Sequence, residues 1–221
     1  MRVRPGVGGD AAAVAAVCLA TARLGDPVRA GDPAAGLLTA VYAEPYLALE
    51  PSSARLLVTG TDEVAGYVLA AVDSPAFYHR WRQEWTPRFD LPLPPVPGRP
   101  TPATVVPAEV AQLRALLVEP ERMLPAAATV RTHPSHLHID LLPRARGGGW
   151  ARLLLADALA GLAAAGSPGV HLGVDPANER ALRFYRRCGF VPSEADHTGS
   201  TLVLVRDCSP LGAYLDPPPA R

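Results

Sequence analysis

The sequence contains no lysine: every one of its basic residues other than histidine is arginine. That absence excludes a P-loop, which needs a lysine at its phosphates. A surplus of either charge is missing as well, since 21 acidic residues balance 21 basic ones. A general nucleic-acid binder would carry a basic excess, so that class is set aside. Cysteine is scarce, and Cys18, Cys188 and Cys208 are far apart and unpatterned. Such a set suits a reducing compartment and supplies no disulfide framework. Long apolar runs are also lacking. The stretch from Ala11 to Leu24 is shorter than a membrane span and follows Asp10 without a cleavage pattern, so it reads as a core helix. Residues Met1 to Asp10 show no leader-like apolar core. These absences predict a cytoplasmic protein with neither a membrane nor a nucleic-acid partner.

What is present is globular in character: 48% of the 221 residues are hydrophobic and 19% charged. Met1 to Arg4 is a strand candidate, and Asp10 is placed to cap an Ala-rich helix ending near Gly25. A helical stretch within Pro33 to Leu49 is interrupted by Pro45. Arg55 to Thr59 and Val64 to Val72 flank Gly60-Thr61-Asp62-Glu63 as a hairpin. Phe77, Tyr78, Trp81, Trp85 and Phe89 then concentrate the aromatics, and Leu91 to Pro102 is dominated by proline, which must be extended. A helix follows over Pro107 to Val118. Downstream the pattern predicts a strand at His136 to Leu142, a helix at Trp150 to Ala165 and a strand at Val170 to Val174. A helix at Asn178 to Cys188, stopped by Gly189, and closing strands at Phe190 and Thr201 to Val205 complete it. The organisation predicted is one domain over 1–208, an aromatic and proline-rich insertion at about 74–104, and a mobile tail over 209–221.

Two segments carry chemistry. Leu141-Leu142-Pro143-Arg144-Ala145-Arg146-Gly147-Gly148-Gly149-Trp150-Ala151 takes a strand through three glycines directly into a helix. Glycine lets successive backbone N–H groups converge, and the helix start adds unpaired donors and a favourable dipole, which together make an anion cradle. Arg144 and Arg146 flank it. The spacing is not that of a dinucleotide fingerprint. The second segment runs Asp175-Pro176-Ala177-Asn178-Glu179-Arg180-Ala181-Leu182-Arg183-Phe184-Tyr185-Arg186-Arg187-Cys188-Gly189-Phe190 after a strand.

Together the segments resemble the Gcn5-related N-acetyltransferase (GNAT) superfamily. Arg144 to Gly149 is similar to its Q/R-x-x-G-x-G/A loop, and Asn178 to Tyr185 with Gly189-Phe190 to its N-x-x-A helix and following strand. The likeness spans Leu137 to Val205 well and the N-terminal half only in element order. It implies an α/β (α+β) fold with a mixed, mostly antiparallel central sheet flanked by helices and splayed at strands four and five. It also implies an acetyl-CoA-dependent N-acetyltransferase acting directly on an amine acceptor, a small molecule or peptide. Amides from Gly147 to Ala151, with Gly148, Gly149 and Trp150 between, would hold the coenzyme A pyrophosphate. Backbone groups of Leu141 and Leu142 would meet the pantetheine and acetyl carbonyl. Asn178 would bond the pantetheine arm, and Tyr185 would protonate the departing thiolate. The plainer alternatives are an N-cap for Asn178 and a core aromatic for Tyr185. The absence of lysine rules out self-acetylation on an internal lysine side chain.

Gly66-Tyr67-Val68-Leu69-Ala70-Ala71-Val72-Asp73, the aromatic stretch with Trp85 and Pro87, and His138-Ile139-Asp140 are similar to the acetyltransferase-like C-terminal domain of O-GlcNAcase and its stand-alone bacterial relatives. That kinship motivates an alternative function: a catalytically weak or inactive acetyl-CoA-binding or sensing module.

Transfer to an amine needs a base. Strand alternation places His136, His138 and Asp140 on one face. Asp140 is the first candidate for base or amine anchor and His138 the second, against purely structural roles for all three. His133, His136 and His138 lack the Cys or carboxylate company of a zinc site, so no metal is predicted. Tyr78 and Trp85, with His79 and Trp81, either wall an acceptor pocket or form a cluster under a loop. Trp150 is expected to pack the helix start, and Arg186 and Arg187 to complement a helix C-terminus. Cys188 has no base beside it, which disfavours a cysteine nucleophile. An exposed closing strand would support a homodimer.

Overall fold

The computed structural model describes residues 1–90, 107–196 and 201–211. One seven-stranded sheet organises them, in the order β1-β2-β3-β4-β5-β7-β6. The strands are β1 (Arg2–Pro5), β2 (Arg55–Val58), β3 (Val64–Ala71), β4 (Ser135–Leu141), β5 (Gly169–Val174), β6 (Val191–Pro192) and β7 (Leu202–Asp207). Every neighbouring pair is antiparallel except β4 with β5. The mixed, mostly antiparallel sheet expected from the sequence is therefore the architecture found.

All eight residues of β3 are buried, because helices cover both faces of the sheet. On one side lie α1 (Ala11–Thr21), α2 (Ala35–Tyr42), α3 (Glu44–Leu49), α4 (Ser74–Arg80) and α5 (Ala108–Val118), packed with Tyr67, Leu69 and Ala71. On the other lie α7 (Trp150–Ala164) and α8 (Glu179–Arg187), packed with Val68 and Ala70. A short α6 (Ala127–Thr132) precedes β4. The buried stripe of α1 is Val14, Val17, Cys18 and Thr21, the spacing a 3.6-residue period demands. That of α7 is Leu154, Leu155, Ala158, Leu159 and Leu162. Burying each such leucine contributes about 1.5–3 kcal/mol.

Several boundaries differ from those predicted. Asp10 holds the N-cap position of α1, but its carboxylate makes no cap bond to the helix. A 3-10 turn at Gly8–Asp10 precedes the helix, and the Asp10 carboxylate accepts instead from Arg4 at 2.7 and 2.8 Å and from the Val7 amide. The helix stops at Thr21 rather than near Gly25, because Leu24 and Gly25 take left-handed φ values of 55° and 100°. The Pro33 to Leu49 stretch splits at Ala43, where Pro45 sits in the first turn of α3 and needs no donor. After α4, Trp81–Trp85 continues as a π-turn. No periodic pattern announced α6, which is a six-residue helix with proline on either flank. The proline-rich stretch 91–102 and the tail over 212–221 lie outside the described residues. Among the described residues no helix is long and apolar enough to cross a membrane.

Candidate active site

β4 and β5 run side by side for only two register pairs, Ser135 with Val170 and His136 with His171. Beyond them β4 stays with β3 from Leu137 to Leu141, while β5 stays with β7 from Leu172 to Val174. The strands part, and a gap opens in the middle of the sheet. The Leu142 amide donates to the Ala65 carbonyl at 2.9 Å. Alternation along an antiparallel ladder then points the amides of Ile139 and Leu141 the other way, into the gap. Leu142 is accordingly no backbone donor to a ligand, a correction to the sequence reading, and its carbonyl already accepts from the Ala145 amide.

The glycine segment sits at the open end of β4. Gly147 and Gly149 adopt φ of 83° and 78°, a region that β-carbons disfavour. Gly149 is the N-cap residue of α7, and its carbonyl accepts from Arg152 and Leu153. Among the described residues, none of the amides from Gly147 to Ala151 donates to a protein acceptor. A run of unspent donors at the start of a 15-residue helix is the arrangement that holds a phosphate. Trp150 packs its ring under Gly148, where an added β-carbon would meet it at 3.0 Å.

The flanking arginines diverge. Arg144 is exposed and lies 3.9 Å from Glu63. Arg146 turns back, donating through Nε to the Leu141 carbonyl at 3.0 Å and through Nη2 to the Gly25 carbonyl at 3.1 Å. It is tied to backbone rather than poised beside the loop amides.

Asn178 caps α8, its Oδ1 accepting from the Ala181 amide at 3.1 Å. Its Nδ2 donors remain. Tyr185 is 7% exposed and packs edge-on against Phe190. Its hydroxyl makes no hydrogen bond among the described residues, yet it is not sealed from solvent. Burial raises its pKa, and the Asp140 charge adds to that rise. The phenol therefore keeps its proton at neutral pH.

Across the sheet, His136, His138 and Asp140 share the face toward α1 to α4. Asp140 is half-buried, and its Oδ2 accepts from the Tyr67 hydroxyl at 2.8 Å. Desolvation outweighs that hydrogen bond and lifts its pKa from 3.8 to about 6. His138 is shifted the opposite way, to about 4, by burial and by the charge of His171. Both His136 and His138 direct Nε2 at the Tyr46 hydroxyl, at 2.8 and 2.9 Å. His136 Nδ1 meets Ser74 at 2.7 Å and its ring stacks on Tyr78. His136 is thus a core residue inside a polar network, held well below its usual pKa by burial.

The family model described as the acetyltransferase (GNAT) family matches residues 102–190. The crystal structure of SsHAT is similar at 36% identity, over 94% of this chain and 98% of that one, with a TM-score of 0.81. This chain belongs to the GNAT acetyltransferase superfamily. Fold likeness alone extends to the PaiA N-acetyltransferase of Thermoplasma acidophilum in complex with coenzyme A, at 11% identity and a TM-score of 0.54 over 93% of this chain and 98% of that one. It extends also to the polyamine N-acetyltransferase of Drosophila melanogaster, at 16% identity and a TM-score of 0.54 over 93% and 99%.

Within this GNAT fold, two residues predicted to wall an acceptor pocket are placed in the core. Trp85 is 6% exposed and donates Nε1–H to the Ala40 carbonyl at 2.9 Å. Tyr78 is 3% exposed beneath His136. Of the two readings open to the aromatic stretch, the buried cluster is the one their side chains take. Sequence reasoning gave no functional role to Tyr67, which bonds Asp140, or to Leu24, Gly25 and Arg180, which meet at the turn after α1. Gly25 gave a signal as the glycine ending a helix, Tyr67 and Arg180 lay inside quoted motifs without a role, and nothing local marked Leu24. One surface recess runs along Glu179, Leu182, Arg183 and Arg186 of α8, and another lies behind Trp85.

Proposed function

We propose that this GNAT enzyme transfers the acetyl group of acetyl-CoA directly to an amine. The observation that carries the reading is the unspent run of amides from Gly147 to Ala151, set where β4 and β5 part. These residues fit a diphosphate: the donors converge, and no atom stands where β-carbons of Gly147 or Gly149 would lie. Asn178 Nδ2 would donate to the pantetheine arm, and the exposed Arg144, only loosely paired with Glu63, would approach outer phosphate charge. Coenzyme A supplies the acetyl group as an activated thioester.

The chain's own residues would do the rest. The Leu141 amide, directed into the gap, faces the acyl oxygen and stabilises negative charge gathering there. Asp140, with a pKa near 6, accepts the proton of the attacking ammonium, directly or through one water. His138, at about 4, is the poorer base at neutral pH. Tyr185 donates its proton to the leaving sulfur. Cys188 takes no part, since burial raises its thiol pKa. We extend the proposal to a single domain over 1–208, with an insertion at about 74–104, and to kinship with the bacterial relatives of the O-GlcNAcase C-terminal domain. Supporting that kinship are Gly66 to Ala71 on β3 and the buried aromatics through Trp85.

Calorimetric titration with acetyl-CoA, followed by thiol release with a panel of amines, tests this. Micromolar binding and amine-dependent release are expected. No heat at millimolar acetyl-CoA defeats the cofactor assignment. Binding without release from any amine reduces the protein to a cofactor-binding module.

A further inference from the structure

Arg146 comes from the loop after β4 and Arg180 from the first turn of α8, yet both reach the turn that follows α1. A β-carbon built on Gly25 would lie 2.0 Å from Nη2 of Arg180 and 3.4 Å from Nη2 of Arg146. The two guanidiniums therefore converge on one bare α-carbon. Among the described residues their hydrogen-bond partners are backbone carbonyls: Leu141 and Gly25 for Arg146, and Leu24, at 3.4 Å, for Arg180. Each guanidinium has N–H donors left over, since it carries five. Like charges brought this close repel, and burial, with Arg180 second, depresses the pKa of Arg146. The turn is itself strained. Leu24 is a non-glycine residue at φ 55°, and it leaves half of its surface exposed. Both arginines act electrostatically on Asp140, and Asp26 is a further acid near Arg146.

A repelling cation pair with spare donors, held by a strained turn beside a half-buried carboxylate, is built for a ligand carrying both signs. We propose that the acceptor amine bears a carboxylate or phosphate, which pairs with Arg146 and Arg180 while its amine faces Asp140. This rests on the acetyltransferase reading and narrows its substrate class to amino acids and aminoalkyl phosphates.

The full chain with acetyl-CoA is assayed with matched amines: amino acids against their carboxamides, and phosphoethanolamine against ethanolamine. The anionic member of a pair is expected to have at least a tenfold higher kcat/KM; which pair shows it distinguishes carboxylate from phosphate. Arg180→Met should bring that ratio near one, mainly through KM, with the Kd of acetyl-CoA unchanged within twofold. Equal or better use of the neutral members overturns the inference, as does an Arg180→Met protein that loses acetyl-CoA affinity instead. If that variant fails to fold, the wild-type ratio must fall with added sodium chloride; a ratio indifferent to salt overturns it. Turnover of neutral amines alone refutes only this inference, whereas no acetyl-CoA binding at all removes the reading beneath it.

Discussion

Asp140→Asn separates catalysis from stability at one atom. The carboxyl pKa rises from 3.8 to about 6 on folding, so the native protein binds more protons than the unfolded chain between those values. Stability from this group is therefore lost as pH rises through that window, and the cost is complete above about pH 6. The shift corresponds to at most about 3 kcal/mol, and its partial exposure to water brings this toward 1–2 kcal/mol. Asparagine keeps an oxygen to accept from Tyr67 and carries no charge. Denaturant unfolding at a series of pH values should show the variant gaining on wild type by about 1–2 kcal/mol between pH 4 and pH 8. The buried histidines are common to both proteins and cancel. In parallel kcat/KM should fall by about two orders of magnitude or more. The wild-type rise in kcat/KM centred near pH 6 should disappear in the variant. A variant that loses ground to wild type as pH rises, or that keeps the limb near pH 6, refutes the assignment of base and burial to Asp140.

Tyr185→Phe should lower kcat about a hundredfold and leave the Kd of acetyl-CoA within twofold, by steady-state assay and calorimetry. Gly149→Ala forces a β-carbon into φ 78° at the N-cap of α7 and should cost about 1 kcal/mol of stability in a urea titration. It should also weaken acetyl-CoA at least tenfold. Trp85→Ala should cost about 3–5 kcal/mol of stability, far more than an acceptor-wall residue would, by the same titration. His136→Phe removes one partner each from the Tyr46 and Ser74 hydroxyls, which keep His138 and the Pro134 carbonyl, and should cost about 1 kcal/mol.

How much was legible in the chain depended on how local each signal was. The glycine bend and the Asn178-to-Tyr185 helix are contiguous, and their chemistry is set by neighbours in sequence; both were readable. The shared face of His136, His138 and Asp140 followed from the period of a strand. Which of the three is buried did not, because Tyr46, Phe77 and Tyr78 arrive from α3 and α4. Trp85 was misplaced for the same reason, as its partner Ala40 lies on a helix far away in sequence. Arg146 reads locally as a phosphate flank and is drawn off by the carbonyl of Gly25. The aggregate of Leu24, Gly25, Arg146 and Arg180 exists only in three dimensions. Its one local trace is a glycine that the close approach of a guanidinium requires.

The most direct test is a crystal structure of the chain soaked with acetyl-CoA. The account predicts diphosphate oxygens within hydrogen-bond distance of the amides between Gly147 and Ala151, and the thioester between Leu141 and Tyr185. A coenzyme bound elsewhere, with those amides facing only solvent, would contradict it.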